Sequence, residues 1–180
     1  PIFAATQIWA NNSNTHPLTV ATPVRAAPAA AGPTTLAFAG SGSAPIVITG
    51  PISDGAGTLS LTNQSGLTVL AGSNTYTGPT ILSGGTLRAT VGLSIPASSN
   101  LTLSGGTLLS SGSFSRTLGP AAGQIQFTAG APTLAADDAG DLSVTLLNGG
   151  SPITWGSASF NPSTLTFNTS ASTHNVTLTA

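Results

Sequence analysis

The stretch that decides the fold is Ser83-Gly84-Gly85-Thr86-Leu87, which returns 21 residues later as Ser104-Gly105-Gly106-Thr107-Leu108. A weaker copy, Ala56-Gly57-Thr58-Leu59, lies upstream. Repeats of about 20 to 30 residues are typical of solenoids, in which each coil buries its apolar side by stacking on its neighbours. The repeat therefore predicts a stacked β structure.

The same repeat predicts which residues stack. If each copy forms one coil, Leu59, Leu87 and Leu108 form a ladder inside, and Thr86 and Thr107 stack along the axis. The glycine pairs would turn a corner where positive φ is required. The predicted fold is a right-handed parallel β-helix of roughly seven coils, about 35 Å long. The alternative is a Greek-key β-sandwich in which the repeat arose by chance.

The composition independently favours an all-β fold. Charged residues make up 4% of the 180 residues and apolar residues 39%, and Lys, Glu, Met and Cys are absent. Helices rely on Ala, Leu, Glu, Lys, Gln, Arg and Met, three of which are missing, whereas Ser, Thr, Val and Gly suit strands and tight turns. Short alternating runs recur about every eleven residues, as in sandwiches, barrels and solenoids.

Two regions are predicted. Residues 1–33 are interpreted as an N-terminal arm and connector, because Ala21–Pro33 carries three prolines that favour an extended conformation. Residues 34–180 are the predicted β-solenoid domain.

The charge balance excludes several functions. Three Arg and four Asp cannot neutralise a run of phosphates, so we expect no nucleic-acid partner. No apolar run approaches about 18 residues, so we expect no membrane-spanning helix. Without Cys there are neither disulfides nor thiolate metal sites. The charged residues are Arg25, Arg88, Arg116, Asp54, Asp137, Asp138 and Asp141.

Acidic and histidine side chains offer weak candidates for a metal or catalytic site. Asp137-Asp138-Ala139-Gly140-Asp141 could hold Ca²⁺, but its spacing is not that of a calcium loop, and a solvated turn is predicted. His16 and His174 have no acid or second His at ligand spacing and are predicted at the surface. A glycosidase would have to rely on Asp54 and this cluster. The sequence therefore predicts no catalytic residue, metal or cofactor.

Aromatic residues and glycosylation motifs are the remaining candidates. Trp9, Tyr76 and Trp155 could stack on sugars, but core packing or loop closure is the favoured interpretation. Four asparagines begin Asn-x-Ser/Thr motifs, which matter only in a host that glycosylates them; they are Asn11, Asn63, Asn168 and Asn175.

One segment is similar to a known repeat. Residues 72–88, Gly-Ser-Asn-Thr-Tyr-Thr-Gly-Pro-Thr-Ile-Leu-Ser-Gly-Gly-Thr-Leu-Arg, closely resemble the autotransporter-associated β-strand repeat of bacterial surface proteins. Residues 140–160, with Thr154-Trp155-Gly156 and Phe160, look like another coil of the same proteins. The resemblance implies a parallel β-helix, export and an extracellular or cell-surface role, and it does not imply an enzyme.

These observations predict a non-enzymatic extracellular structural protein. Asn175–Ala180 has the pattern of a complete strand without a capping segment, and unpaired strand edges invite pairing with another chain. We expect a self-assembling subunit of a filament, sheath or surface layer, joined to its own copies through strand edges or a donated strand. The alternative is a passenger fragment that acts as an adhesin or carbohydrate-binding module, with the cell surface or glycans as partners.

Overall fold

The protein is all-β in the computed structural model, which describes residues 2–3, 6–27 and 33–180. These residues form 21 strands and no helix, so they contain no helix long and apolar enough to cross a membrane. The strands are β1 (Ile2–Phe3), β2 (Gln7–Ala10), β3 (Leu18–Val20), β4 (Val24–Ala26), β5 (Thr34–Ala39), β6 (Ile46–Ile48), β7 (Ile52–Ser53), β8 (Leu59–Asn63), β9 (Leu67–Leu70), β10 (Thr80–Leu82), β11 (Thr86–Ala89), β12 (Val91–Gly92), β13 (Ile95–Pro96), β14 (Leu101–Leu103), β15 (Thr107–Ser110), β16 (Gly112–Thr117), β17 (Ile125–Phe127), β18 (Thr133–Ala136), β19 (Leu142–Leu147), β20 (Thr166–Phe167) and β21 (Val176–Thr179).

Two long parallel sheets carry the fold. Sheet I has the order β17-β14-β10-β8-β5-β2, and sheet II has the order β20-β18-β15-β11-β9-β6-β3. Both orders follow the chain, and every strand pair in the described residues is parallel. A Greek-key sandwich needs antiparallel neighbours. The parallel, sequential order is instead consistent with a solenoid.

Three small parallel sheets complete the fold. Sheet III contains β1-β4-β7, sheet IV contains β12-β13, and sheet V contains β16-β19-β21. In chain order, a strand of sheet I is followed by one of sheet II and then by one of these small sheets. The unit that contains β8 and β9 has no strand on the small-sheet side. In its place, the Thr75 amide donates to the Ile52 carbonyl at 2.9 Å, and this backbone hydrogen bond continues the stacking.

The strand register confirms most of the predicted ladder. Thr86 is paired with Thr107 and Leu87 with Leu108, and both leucines are buried. The position predicted for Leu59 is wrong, because it lies in β8 opposite Thr34, in sheet I rather than sheet II. The true upstream partner of Leu87 is Thr68.

Columns of inward side chains form the core. One column runs through sheet II and one through sheet I, and their members are paired residue by residue. The sheet II column is Leu18, Ile46, Thr68, Leu87, Leu108, Leu134 and Phe167. The sheet I column is Trp9, Phe38, Asn63, Leu82, Leu103 and Phe127.

Each column contains one polar residue. Thr68 is fully buried and its hydroxyl has no hydrogen-bond partner among the described residues. Asn63 is 2% exposed, and its amide donates to the Gly84 carbonyl at 2.7 Å. Each column is therefore mostly apolar and includes one buried polar side chain.

Glycines turn the corner between sheets I and II. Gly66, Gly85 and Gly106 have φ values of 72°, 65° and 66°, in the left-handed region that favours glycine. The carbonyls of Gly66 and Gly85 accept the amides of Thr86 and Thr107, each at 2.8 Å. This confirms the predicted positive φ for the second glycine of each repeat.

The N-terminal region differs from the predicted arm. β2, β3 and β4 are paired with β5, β6 and β7, so residues 7–26 form part of the sheets. The physical reason is that short strands alternate with the Asn and Pro turns that suggested a connector. Residues 28–32 of the predicted Pro/Ala connector lie outside the described residues.

Candidate assembly interface

The C-terminal end of sheet II is an exposed strand. β20 is paired with β18 through Thr133 with Thr166 and Leu134 with Phe167. Leu134 is fully buried, whereas Phe167, the next member of the same column, is 44% exposed. The apolar column thus continues to the end of the sheet but is not covered there by any described residue.

Sheet V ends in the same way. β21 is paired with β19 over four residues, with Val176 opposite Leu142 and Leu178 opposite Val144. Leu142 and Val144 are fully buried, while Val176 and Leu178 are half-buried. β21 therefore offers two apolar side chains and one open backbone edge.

An aromatic stack closes sheet I at this end. Phe160 bridges to Phe127 and packs edge-on against its ring at 5.1 Å between centroids. Trp155 packs edge-on against Phe160 at 5.3 Å and is 54% exposed. Trp155 therefore packs against Phe160 while about half of its surface stays exposed to solvent.

The N-terminal end has complementary edges. β2 and β3 are the outermost described strands of sheets I and II. Ile8 is 62% exposed, and Leu18 and Val20 are half-buried. Trp9 lies edge-on to Phe38 at 6.4 Å. Because the described strand pairs are parallel, the open edges of β3 and β20 run in the same direction.

Charge is missing from the residues that form both ends. Residues 1–24 and 142–180 contain no Asp, Glu, Lys or Arg, so all seven charges lie between Arg25 and Asp141. Soluble sheet edges are commonly protected by charged side chains that discourage pairing. β2, β3, β20 and β21 lack this protection.

The acidic cluster is held by ionic and hydrogen-bonded contacts with neighbouring segments. Arg88 Nε lies 3.3 Å from Asp137 Oδ2, and Arg88 Nη2 lies 3.8 Å from Asp138 Oδ2. Asp141 Oδ1 accepts the Asn175 amide at 2.9 Å and lies 3.5 Å from His174 Nδ1. The described residues contain no group of three or more His, Cys, Asp or Glu placed to hold a metal ion.

The other titratable candidates have local structural roles. Asp54 accepts the Leu59 amide at 2.8 Å and the Thr77 hydroxyl at 2.7 Å, which fixes the turn before β8. His16 is exposed and its Nδ1 lies 2.7 Å from the Thr15 hydroxyl. In the part of the chain that the structure describes, neither residue contacts the acidic cluster.

An open groove of about 640 Å³ lies beside β19. Its lining is largely apolar and includes Leu146, Leu147, Pro152 and Ile153. None of the described residues that line it is titratable. A groove with this apolar lining can hold an apolar segment.

Tyr76 lies in the core and not on a surface platform. It is fully buried, and its hydroxyl lies 2.7 Å from Thr80 Oγ1, which in turn lies 3.0 Å from Ser99 Oγ. Burial raises the pKa of Tyr76 well above its usual range, although the Thr80 hydrogen bond and the nearby Arg116 charge oppose the shift. Among the three aromatic candidates, Trp155 is the one with a largely exposed ring.

Arg116 is a buried cation that the sequence did not single out. It is 4% exposed, and its guanidinium donates to the carbonyls of Pro96, Ser99 and Gln124. Burial lowers its pKa, and the proximity of Tyr76 opposes that effect. The alternation of β16 places Arg116 inward, because Phe114 and Arg116 share a face of that strand.

Arg116 and Asn74 join the small sheets where backbone pairing lapses. Asn74 accepts the Ile52 amide and donates to the Ser94 carbonyl, each at 2.7 Å, and thereby links β7 to the segment between β12 and β13. Arg116, in β16 of sheet V, donates to the carbonyls of Pro96 in β13 and of Ser99 just after it, and so links sheet IV to sheet V. The side chains of Asn74 and Arg116 thus connect the small sheets to one another at positions where no strand pairing does so.

The four glycosylation motifs are unequally accessible. Asn11 and Asn63 are buried, so a glycan at either position is incompatible with the fold. Asn168 is half-buried and donates to the His174 carbonyl at 2.9 Å. Asn175 is exposed.

Comparisons with known proteins return no relative. No family model, no curated protein and no solved structure matches the chain. The resemblance of residues 72–88 to the autotransporter-associated repeat therefore stays a prediction.

We expect Tyr76 to make the fold sensitive to alkaline pH. Its pKa in the folded state lies above the value of about 10 in the unfolded chain. Stability from the neutral side chain is therefore complete below pH 10 and is lost as the pH rises above it. Because Tyr76 is the sole tyrosine, phenolate absorbance should appear together with the loss of the β circular dichroism signal.

The control for this experiment is Tyr76→Phe, which cannot ionise. It should keep its β signal to a higher pH than the parent chain, even though it loses the hydrogen bond to Thr80. Phenolate absorbance that titrates near pH 10 in a chain that is still folded would show that Tyr76 is accessible.

Proposed function

We propose that this protein is a non-enzymatic extracellular structural protein, a right-handed parallel β-helix whose copies join end to end. The product is a filament, sheath or surface layer. The observation that carries the proposal is that sheet II has an exposed, charge-free strand at each of its described ends, β3 and β20.

The two ends are complementary in hydrogen bonding. Each presents one row of backbone N–H and C=O groups, and parallel order gives both rows the same direction. A contact between opposite ends of two copies is heterologous and does not close on itself, so it propagates as a linear polymer.

The apolar columns supply the driving force. Stacking would bring Phe167 of one copy against the Leu18 position of the next. Burying a large apolar side chain completely contributes about 1.5–3 kcal/mol. The ends also carry no charges that would repel each other at close range.

A second candidate function is carbohydrate binding, and Trp155 is the observation that favours it. Trp155 is 54% exposed and packs at 89° against the Phe160 ring, which leaves part of the indole accessible to a ligand. Binding to a glycan array that Trp155→Ala abolishes, without any polymer, would favour an adhesin-like module over a polymer subunit.

Electron microscopy and light scattering of the purified chain test the polymer. We expect regular fibres, and we expect Phe167→Lys to prevent them because it places a charge on the joining surface. Leu93→Lys is the matched control, since Leu93 is 49% exposed but lies between β12 and β13, away from both ends. Monodisperse monomers of the parent chain at high concentration would overturn the proposal.

A further inference from the structure

At the N-terminal end, the side of the fold that carries the small sheets has one more strand than sheet I or sheet II has. Within each unit the chain passes through sheet I, sheet II and then a small sheet, and the first complete unit is β2, β3 and β4. β1 precedes β2 and is paired with β4, on the edge that faces away from β7. The β4 edge is therefore occupied, whereas the equivalent edges of β2 and β3 have no described strand beside them.

The C-terminal end, in contrast, has no extra strand on the small-sheet side. Its last unit contains the Phe160 bridge, β20 and β21, one segment for each side. The backbone groups of Phe160 are already bonded to Gly156 and Ser157, so β20 and β21 are the open strands of this end. If β20 of one copy joins β3 of the next, β21 arrives at the edge of β4. Two strands, β1 of the same copy and β21 of its neighbour, then compete for one edge.

We propose that the edge of β4 is the binding site for β21 of a second copy, and that β1 occupies this edge until the second copy displaces it. This inference rests on the end-to-end assembly proposed above and specifies its partner strand. β1 acts as an internal cap, so that subunits pair with each other only after strand exchange.

The lengths of the strands favour exchange. β1 is paired with β4 at two positions, Ile2 with Arg25 and Phe3 with Ala26. β21 contains four residues that already form a ladder with β19, and it can cover all three residues of β4. The incoming strand therefore makes more ladder contacts than the one that it replaces.

Side-chain alternation predicts the register. Val24 and Ala26 of β4 are fully buried, and Arg25 between them is exposed. On β21, Val176 and Leu178 point to the core side and Thr177 is exposed. Matching the buried faces places Val176 opposite Val24 and Thr177 opposite Arg25, because a shift by one residue would turn the apolar side chains outward.

A proline variant tests the cap in the full-length chain. Ile2→Pro/Phe3→Pro removes two backbone donors and disfavours ladder pairing by β1. Because adjacent residues of a strand direct their N–H groups to opposite sides, one of the two removed donors faces β4. We expect polymer growth, followed by light scattering, to begin about fivefold to tenfold sooner than in the parent chain, since loss of one net hydrogen bond corresponds to about that factor. An unchanged lag would overturn the capping role.

Cysteine cross-linking tests the register. The chain has no Cys, so Arg25→Cys/Thr177→Cys should form a ladder of disulfide-linked multimers when fibres are oxidised. Arg25→Cys/Thr179→Cys is the control, because a two-residue offset of about 6.6 Å along the strand takes the Cα atoms beyond disulfide reach. Cross-links in the control alone, or in neither variant, would overturn the proposed pairing.

The two proposals fail in different ways. If neither the parent chain nor the proline variant forms polymers, the proposed function fails. If fibres form with an unchanged lag and without the Arg25–Thr177 cross-link, assembly stands and the strand exchange is overturned.

Discussion

Leu87→Asp should leave the chain unfolded or close to unfolding at pH 7. Leu87 is 2% exposed and lies between Thr68 and Leu108 in the sheet II column. No described cation faces this column, so the carboxylate would be buried without a partner. Such a charge costs about 3–5 kcal/mol, a large part of the 5–15 kcal/mol that stabilises an ordinary domain. Circular dichroism during thermal unfolding measures the loss.

The neighbouring position provides the control. Thr86 lies on the same strand but faces outward and is half-exposed. Thr86→Asp should therefore change the free energy of unfolding by about 1 kcal/mol or less. Equal melting temperatures for the two variants would contradict the assignment of Leu87 to the core.

Gly85→Ala is expected to be nearly as damaging, although it adds a single methyl group. An added Cβ would lie 2.4 Å from the Gly66 carbonyl oxygen and 2.6 Å from the Ser65 carbonyl carbon. Both atoms belong to the backbone of the preceding unit and cannot move without breaking the bond from Thr86 to Gly66. Because Gly85 also has a φ of 65°, we expect Gly85→Ala to lower the free energy of unfolding by about 3 kcal/mol or more.

Gly112→Ala separates the clash from the backbone conformation. Gly112 has a φ of 80°, but an added Cβ would meet nothing within 4 Å. Its cost should be that of a left-handed alanine, about 1–2 kcal/mol. If chemical denaturation gives the same loss for both variants, close stacking at the Gly85 corner does not determine stability.

The repeat in the sequence was sufficient to predict parallel stacking in sheet II. Two identical segments 21 residues apart adopt the same conformation, so Thr86 pairs with Thr107 and the second glycine of each copy turns the corner. The all-β class followed from missing helix formers. Both predictions depend on local chemistry, which a sequence displays directly.

The ladder position predicted for Leu59 was wrong because the true upstream copy of the repeat has a different sequence. Gly66-Leu67-Thr68 occupies the place of Gly85-Thr86-Leu87, with leucine and threonine exchanged. A pattern that requires Thr before Leu selects Ala56–Leu59 instead. Thr68 has a shape close to that of valine, so it fills a column position that the sequence pattern assigns to an apolar residue, although its hydroxyl finds no partner among the described residues.

The side-chain contacts between the small sheets were beyond sequence reasoning. Asn74 and Arg116 are separated from their partners by about twenty residues, and nothing local distinguishes them from surface residues. Their roles arise because β12 and β13 are too short to continue the ladder. The strands within residues 7–26 were missed for a related reason, since three or four residues between turns carry little periodic signal.

The confinement of ionised groups to the middle of the chain has a consequence for solution behaviour. Screening by dissolved ions acts on contacts between charges and leaves apolar and backbone contacts largely unaffected. The strands proposed for the junction carry one charged residue, Arg25 of β4, and no charge faces it across the proposed pairing. Such a junction would therefore persist from dilute buffer to brine.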